Sequence, residues 1–220
     1  MRCNSPSVRQ VAVLSDFDGT ISPRNVIRSI YEEFASGPWR LTLHRWNRGE
    51  IGTRHAMPSI FATMDASRDA MEEYLTAVSL DPAFPVLLDF CSRRGFVFAI
   101  LSDGLTWYIE LLLKQSGVRD VAVYANDIQF ESAGYTFLFP WFQTDNPLRG
   151  TSKSAIARAY QEAGYRVVFI GDGLADTDAA EVADVVYARD VLLAYCRERR
   201  LPAMEFSSLA DVLAAWKDPS

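Results

Sequence analysis

The chain is poor in the residues that staple small folds and build soft-metal sites, with three cysteines and two histidines in 220 residues. Cys3, Cys91 and Cys196 are far apart and form no C-x-x-C pair, so neither a disulfide framework nor a zinc site is indicated. They read as reduced thiols. His44 and His55 stand eleven residues apart with no acidic or cysteine cluster at ligand spacing, and read as surface or packing residues. No apolar run reaches membrane-spanning length, and the first residues, Met1-Arg2-Cys3-Asn4-Ser5-Pro6, lack the apolar core of a signal peptide. The expectation is a cytoplasmic protein without a membrane partner. Positive charge is also scarce: the formal net charge of −6 argues against nucleic acid as the main partner. An anionic substrate has to be met by local positive charge.

Against that background one stretch stands out, Val11-Ala12-Val13-Leu14-Ser15-Asp16-Phe17-Asp18-Gly19-Thr20. An apolar, β-branched run reads as a buried strand, and two carboxylates two positions apart follow it, then a glycine and a hydroxyl. After it the period becomes helical, with Val26, Ile27, Ile30, Tyr31 and Phe34 on one face and Gly37-Pro38 as a stop. Helix and turn continue to about Leu80, with no convincing strand. Asp81 then reads as the N-cap of a helix that ends near Gly95.

From there short apolar runs alternate with helices. Strands are expected at 96–101, 121–125, 167–170 and 185–188, and helices at 106–115, 152–163, 177–182, 191–199 and 209–216. Residues 127–131 and 135–139 flank a turn containing Gly134 and read as an antiparallel hairpin whose aromatics pack on the core. Strands alternating with helices call for a parallel sheet covered on both faces, so the class is α/β. Residues 22–81 form a small helical cap inserted after the first strand, and 1–21 with 82–220 form the core domain.

Ligands of such sheets collect outside the carboxyl ends of the strands. Three of those ends are polar and contain glycine: Asp16-Phe17-Asp18-Gly19-Thr20, Ser102-Asp103-Gly104, and Gly171-Asp172-Gly173-Leu174-Ala175-Asp176. If their strands are neighbours, Asp16, Asp172 and Asp176 meet, and such a cluster calls for a cation. Hard oxygen donors suit Mg2+. Ser102 and nearby backbone N–H groups offer contacts to phosphate oxygens, and Lys153, in the first turn of its helix, adds an ammonium to the helix's positive end. Together these parts fit one reaction. Asp16 attacks phosphorus to form an aspartyl-phosphate, Asp18 protonates the leaving alkoxide and then activates water, and Mg2+ with Lys153 neutralises charge on the phosphoryl oxygens.

In order, spacing and strand context the chain resembles the haloacid dehalogenase superfamily of phosphatases. Asp16-Phe17-Asp18-Gly19-Thr20 matches the first motif, Ser102 the second, Lys153 the third and Gly171-Asp172-Gly173-x-x-Asp176 the fourth. The resemblance implies a Rossmann-like sheet of order 5-4-1-2-3. It also implies Mg2+ held by Asp16, the backbone carbonyl of Asp18 and Asp172, with Asp176 supporting the metal site. The second carboxylate, Asp18, points to a phosphatase instead of a dehalogenase. A helical cap between the first two motifs is the arrangement of the phosphoserine phosphatase-like branch. Within it the chain is most similar to the 2-hydroxy-3-keto-5-methylthiopentenyl-1-phosphate phosphatases, on Tyr124-Ala125-Asn126 and on Tyr187-Ala188-Arg189-Asp190-Val191-Leu192-Leu193 with Cys196-Arg197-Glu198.

Two positions depart from the branch. Phosphoserine phosphatases carry an acidic residue nine positions after the nucleophile, where this chain has Asn25. The second motif continues with Asp103 and Gly104 where the branch has Ser-Gly-Gly, so the Asp103 side chain is expected to point away from the phosphate that Ser102, Gly104 and the backbone of 103 surround. Asn25, Arg40 and Arg54 are the cap residues expected near the organic part of the substrate. The function expected is a Mg2+-dependent phosphomonoesterase acting on a small phosphorylated metabolite, similar to the methylthiopentenyl phosphate or to phosphoserine. A phosphomutase of the same superfamily and a catalytically weak phosphate-binding regulatory module are the alternatives. Monomer and homodimer both remain open, the aromatics of 137–142 being the candidate self-contact.

Overall fold

The computed structural model describes residues 10–132 and 134–217. Strand β1 (Val11–Ser15) lies at the centre of a seven-stranded sheet because its side chains are apolar on both faces. It pairs in parallel with β2 (Val97–Leu105) on one side and β5 (Arg166–Gly171) on the other. Beyond β2 come β3 (Ala122–Glu131) and β4 (Gly134–Leu138), and beyond β5 come β6 (Val185–Ala188) and β7 (Met204–Glu205). The five parallel strands expected from the sequence thus follow the expected order, with β4 and β7 added at the two edges.

Strand alternation sorts the core into two layers. Val13, Ile100, Val168 and Ile170 face α5 (Phe84–Arg94), α6 (Thr106–Gln115) and α10 (Leu209–Lys217). Ala12, Leu14, Ala99, Leu101 and Phe169 face α7 (Lys153–Glu162), α8 (Thr177–Ala180) and α9 (Asp190–Arg199). Between β1 and α5 the chain is helical: α1 (Val26–Phe34), α2 (Trp39–Asn47), α3 (Thr53–Phe61) and α4 (Arg68–Leu75). Asn25 caps α1, its side chain accepting from Arg28 N, and Val26, Ile30 and Tyr31 are its buried residues. Ser67 caps α4 in the same way.

Several boundaries differ from the sequence expectation. Helix α5 starts at Phe84 with Ala83 at its N-cap. Asp81 instead accepts from Ala83 N at 2.8 Å and Leu209 N at 3.1 Å, fixing the preceding turn and the start of α10. Strand β2 runs on through Ser102-Asp103-Gly104, its pairing with β3 becoming irregular between Leu101 and Leu105. The expected third strand and the first arm of the hairpin are one strand, parallel to β2 at its start and antiparallel to β4 at its end. The hairpin packs on the helical segment: the Phe61 ring meets Tyr135 at 5.2 Å and Phe137 at 5.1 Å, and the Tyr135 hydroxyl donates to Ala66 O.

Cys91 and Cys196 are free and buried, and Cys3 lies outside the described residues. Both histidines are exposed. Among the described residues no helix is long and apolar enough to cross a membrane.

Candidate active site

The carboxyl ends of β1, β2 and β5 open together into a cavity of about 330 Å³, roofed by α1, α2 and α3. Asp16 continues β1, its N–H donating to Ile170 O at 2.8 Å, so its side chain is set by the sheet. Lys153, the first residue of α7, is fully buried and donates from Nζ to Asp16 Oδ1 and Asp176 Oδ1, each at 2.5 Å. Asp176 Oδ2 accepts the N–H groups of Asp172 at 3.0 Å and Gly173 at 2.8 Å. Both oxygens of Asp176 therefore work behind the site, holding the ammonium and the turn that presents Asp172.

The Gly19-Thr20 pair positions Asp172 from the other side. Thr20 Oγ1 donates to Asp172 Oδ1 at 2.8 Å. Gly19 has φ +88°, and a Cβ there would fall 2.3 Å from Asp172 Oδ2, so backbone angle and space both demand glycine. Arg189 closes this corner by donating to the Gly19 carbonyl.

The electrostatics are those of a site short of positive charge. Asp16, Asp172 and Asp176 can each bring an oxygen within 4.8 Å of the others. Burial, then the charge of Asp176, hold the Asp16 carboxyl well above its ordinary range, although Lys153 pulls the other way. The same two causes push Asp172 up to about 6. Burial works against the Lys153 ammonium, but the Asp16 and Asp176 carboxylates outweigh it and the group is raised. Three carboxylates around one ammonium leave room for a further cation, and an all-oxygen donor set suits a hard divalent ion.

Asp18 turns away from this cluster while still lining the cavity. Its Oδ1 accepts Val26 N at 2.5 Å and Ile27 N at 3.2 Å, and its Oδ2 accepts the Tyr108 hydroxyl. Burial lifts its carboxyl to about 6, against the pull of Tyr108 and the two N–H groups. A carboxyl in that range suits a group that must both give and take a proton near neutrality.

The remaining expected residues divide. Ser102 lines the cavity and its Oγ accepts Gly104 N at 3.0 Å. The Asp103 carboxylate takes the N–H groups of Gly150 and Thr151 and the Thr53 hydroxyl, so it is turned to the loop before α7. Asn25 lines the cavity, although its side-chain oxygen is engaged in capping α1. Arg40 and Arg54 do not line the cavity. Each is exposed, with its guanidinium on an aromatic face, Arg40 at 4.3 Å from the Trp39 ring and Arg54 at 4.1 Å from that of Phe142. The helical segment instead offers Ile27, Arg28, Tyr31, Leu43, Trp46 and Met57.

Sequence reasoning missed Tyr108, Thr53 and Asn126. Tyr108 sits within an apolar helix face, where nothing separates it from a packing residue. Asn126 is fully buried and bonds Asp103 O, Gly104 O and Thr151 Oγ1. Its sequence signals are a polar residue inside an apolar strand and its place in the Tyr124-Ala125-Asn126 stretch, neither of which marks a role in the site.

The sequence model of the haloacid dehalogenase-like hydrolases matches residues 13–181, from β1 through α8. The chain belongs to this family. The expectation of a phosphatase-type enzyme of this family holds on what it matches. The 2-hydroxy-3-keto-5-methylthiopentenyl-1-phosphate phosphatase of Brevibacillus brevis is 26% identical over 209 residues, covering 93% of this chain and 94% of that protein. The protein of the same name from Exiguobacterium sibiricum is 28% identical over 210 residues, covering 92% and 94%. Among solved structures, a phosphoserine phosphatase carrying an analogue of the phospho-aspartyl intermediate aligns with a TM-score of 0.71 at 16% identity, over 94% of this chain and 98% of that one. At that identity the likeness is one of fold. A haloacid dehalogenase-like core thus carries the motifs read from the sequence at three strand ends and at the start of α7.

Proposed function

We propose that the chain is a Mg2+-dependent phosphomonoesterase working through an aspartyl-phosphate at Asp16, with residues 22–81 as a cap over a core of 1–21 and 82–220. The observation that carries this reading is the pair of Asp16 and Asp18 on one turn, both lining one cavity but held by different partners. An Asp16 oxygen attacks phosphorus as the bond from phosphorus to the substrate alkoxide breaks, and Asp18 gives that alkoxide its proton. Asp18 then takes a proton from water as the water oxygen attacks phosphorus, the bond to Asp16 breaks, and inorganic phosphate leaves. Lys153 holds Asp16 in place and offsets charge on the phosphoryl oxygens, while Ser102 and the N–H groups beside it receive them. Mg2+ held by Asp16, Asp172 and the carbonyl of Asp18 would supply further neutralisation of that charge.

The cavity supports a substrate whose organic part is uncharged and partly apolar, as in the methylthiopentenyl phosphate named for the curated relatives. Every acidic residue lining it lies at a strand end of the core, and the helical segment contributes no carboxylate to pair with an amine. That weighs against phosphoserine. Phosphate release measured over a panel holding both compounds tests this reading. Preference for the methylthiopentenyl ester is expected; faster turnover of phosphoserine overturns the substrate, and no release from any ester overturns the activity.

A further inference from the structure

We propose that Tyr108 is a positioning residue that fixes Oδ2 of Asp18 as the atom through which protons pass to and from the substrate. This rests on the reading of Asp18 as acid and base. The argument starts from Oδ1, which accepts two backbone N–H groups at the start of α1, Val26 N at 2.5 Å and Ile27 N at 3.2 Å. Neither donor can release its hydrogen or reorient without unwinding the helix start. A carboxyl proton therefore has no place on Oδ1. It must sit on Oδ2, whose partner is the Tyr108 hydroxyl.

A phenol suits that place because its single hydrogen can rotate. Tyr108 donates to Oδ2 when Asp18 is ionised, and it stays a partner of the same oxygen when Asp18 carries the proton. The phenol itself has little freedom. Tyr108 is fully buried, with its ring 6.1 Å from Phe17 and 6.3 Å from Trp107. It stands behind Asp18, off the cavity wall, so it orients the carboxyl without blocking the substrate.

Gly104 supplies a second, independent sign of this arrangement. Its φ lies outside the left-handed region, so backbone freedom does not account for a glycine there. Space does: a Cβ at Gly104 would fall 1.7 Å from the Tyr108 hydroxyl oxygen and 2.9 Å from Asp18 Oδ2. The residue beside Ser102 and Asp103 is thus kept bare where the tyrosine meets the carboxylate.

The test compares kcat/KM across phosphate esters whose leaving groups run from p-nitrophenolate, which needs no protonation, to a simple alkoxide, which does. Asp18→Asn, Tyr108→Phe and Gly104→Ala are each set against the unmodified chain. Tyr108→Phe is expected to lose about tenfold more on the alkyl ester than on the nitrophenyl ester, a fraction of what a general acid contributes. Gly104→Ala, which crowds the hydroxyl off Oδ2, is expected to steepen the series in the same sense; any weaker phosphate binding lowers all esters alike and cancels in the comparison. A uniform loss in Tyr108→Phe, with a steep Asp18→Asn, overturns the role of Tyr108 and leaves the acid in place. A flat Asp18→Asn series overturns the acid reading and this proposal with it. Should Tyr108→Phe fail to fold, Gly104→Ala decides by the same criterion.

Discussion

The Thr53 hydroxyl donates to Asp103 Oδ2 across 2.5 Å, and in doing so joins the first residue of α3 to the end of β2. Trp46 Nε1 donates to the same hydroxyl at 2.9 Å, which brings α2 into the connection. On its other oxygen Asp103 accepts Gly150 N at 2.8 Å and Thr151 N at 3.0 Å, in the loop that delivers Lys153. One carboxylate thus ties the helices over the cavity to the loop behind the site. This accounts for an acid in the second motif, where a carboxylate facing phosphate would repel it.

Two substitutions separate the two halves of that connection. Thr53→Val leaves the N–H groups of Gly150 and Thr151 paired but removes the acceptor of Trp46 Nε1 along with the bond to Asp103, and is expected to cost about 1–3 kcal/mol of stability and to raise KM more than it lowers kcat. Asp103→Ala also strands the two buried N–H groups, at about 1–3 kcal/mol each, and is expected to lower kcat because Lys153 loses its fixed approach. Urea unfolding midpoints and steady-state kinetics on both variants check this. A kcat effect confined to Thr53→Val contradicts the assignment.

Asp16→Asn keeps an oxygen for Lys153 to donate to, so the fold and the α7 start should survive. It removes the nucleophile, and turnover of p-nitrophenyl phosphate should fall by roughly 10³-fold or more. Circular dichroism with a phosphate-release assay is sufficient. Retained activity in a folded Asp16→Asn variant removes Asp16 from its role.

Why these residues were readable and others were not follows from where each sits. Asp16, Asp18, Ser102, Asp172 and Asp176 lie at strand ends and Lys153 at a helix start, places that local sequence pattern marks, and the parallel sheet then brings them together. Tyr108 meets Asp18 across 90 residues of sequence, and Thr53 meets Asp103 across 50. Such pairs depend on how α6 and α3 dock, and no local period records that. Arg40 and Arg54 were placed by charge alone, whereas the aromatic rings beside them decide where the guanidiniums lie. Strand β3 looked shorter because polar Asn126 and Asp127 interrupt its apolar run, yet Asn126 finds its hydrogen bonds inside. Strand β7 is two residues long and has no period to read.

The acid cluster makes a prediction that does not depend on turnover. Burial and the Asp176 charge raise the Asp172 carboxyl to about 6, above the ~4 of an unfolded chain. In EDTA the folded state therefore holds an extra proton between those values. The contribution of this carboxyl to stability is fully present below about 4 and is lost as pH rises through about 6. Adding Mg2+ at pH 7 should restore it, by about 2.7 kcal/mol at a hundredfold excess over Kd. Asp172→Asn, which can still accept from Thr20, should raise Tm in EDTA by removing one of the crowded charges and should abolish the Mg2+-dependent rise. Thermal melts with and without the metal read both effects; a Tm blind to Mg2+ in the unmodified chain removes the metal from this cluster.

Among the arginines of the helical segment, position relative to the cavity decides the outcome. Arg28 lines the cavity from the first turn of α1, the turn whose N–H groups hold Asp18, and its Nε is paired with Glu32 on the exposed side at 3.1 Å. That pair is solvent-exposed and contributes little to stability. Removing the guanidinium should therefore act on substrate and leave folding alone. Arg28→Ala is expected to raise KM for the preferred phosphate ester several-fold with Tm nearly unchanged. Arg40→Ala and Arg54→Ala remove guanidiniums that rest on Trp39 and Phe142 and should leave KM where it was. Steady-state kinetics on the three variants, with one substrate and one buffer, makes the comparison. A KM effect in Arg40→Ala or Arg54→Ala equal to that in Arg28→Ala means that the helices close further over the substrate than this arrangement has them, bringing the outer arginines to it.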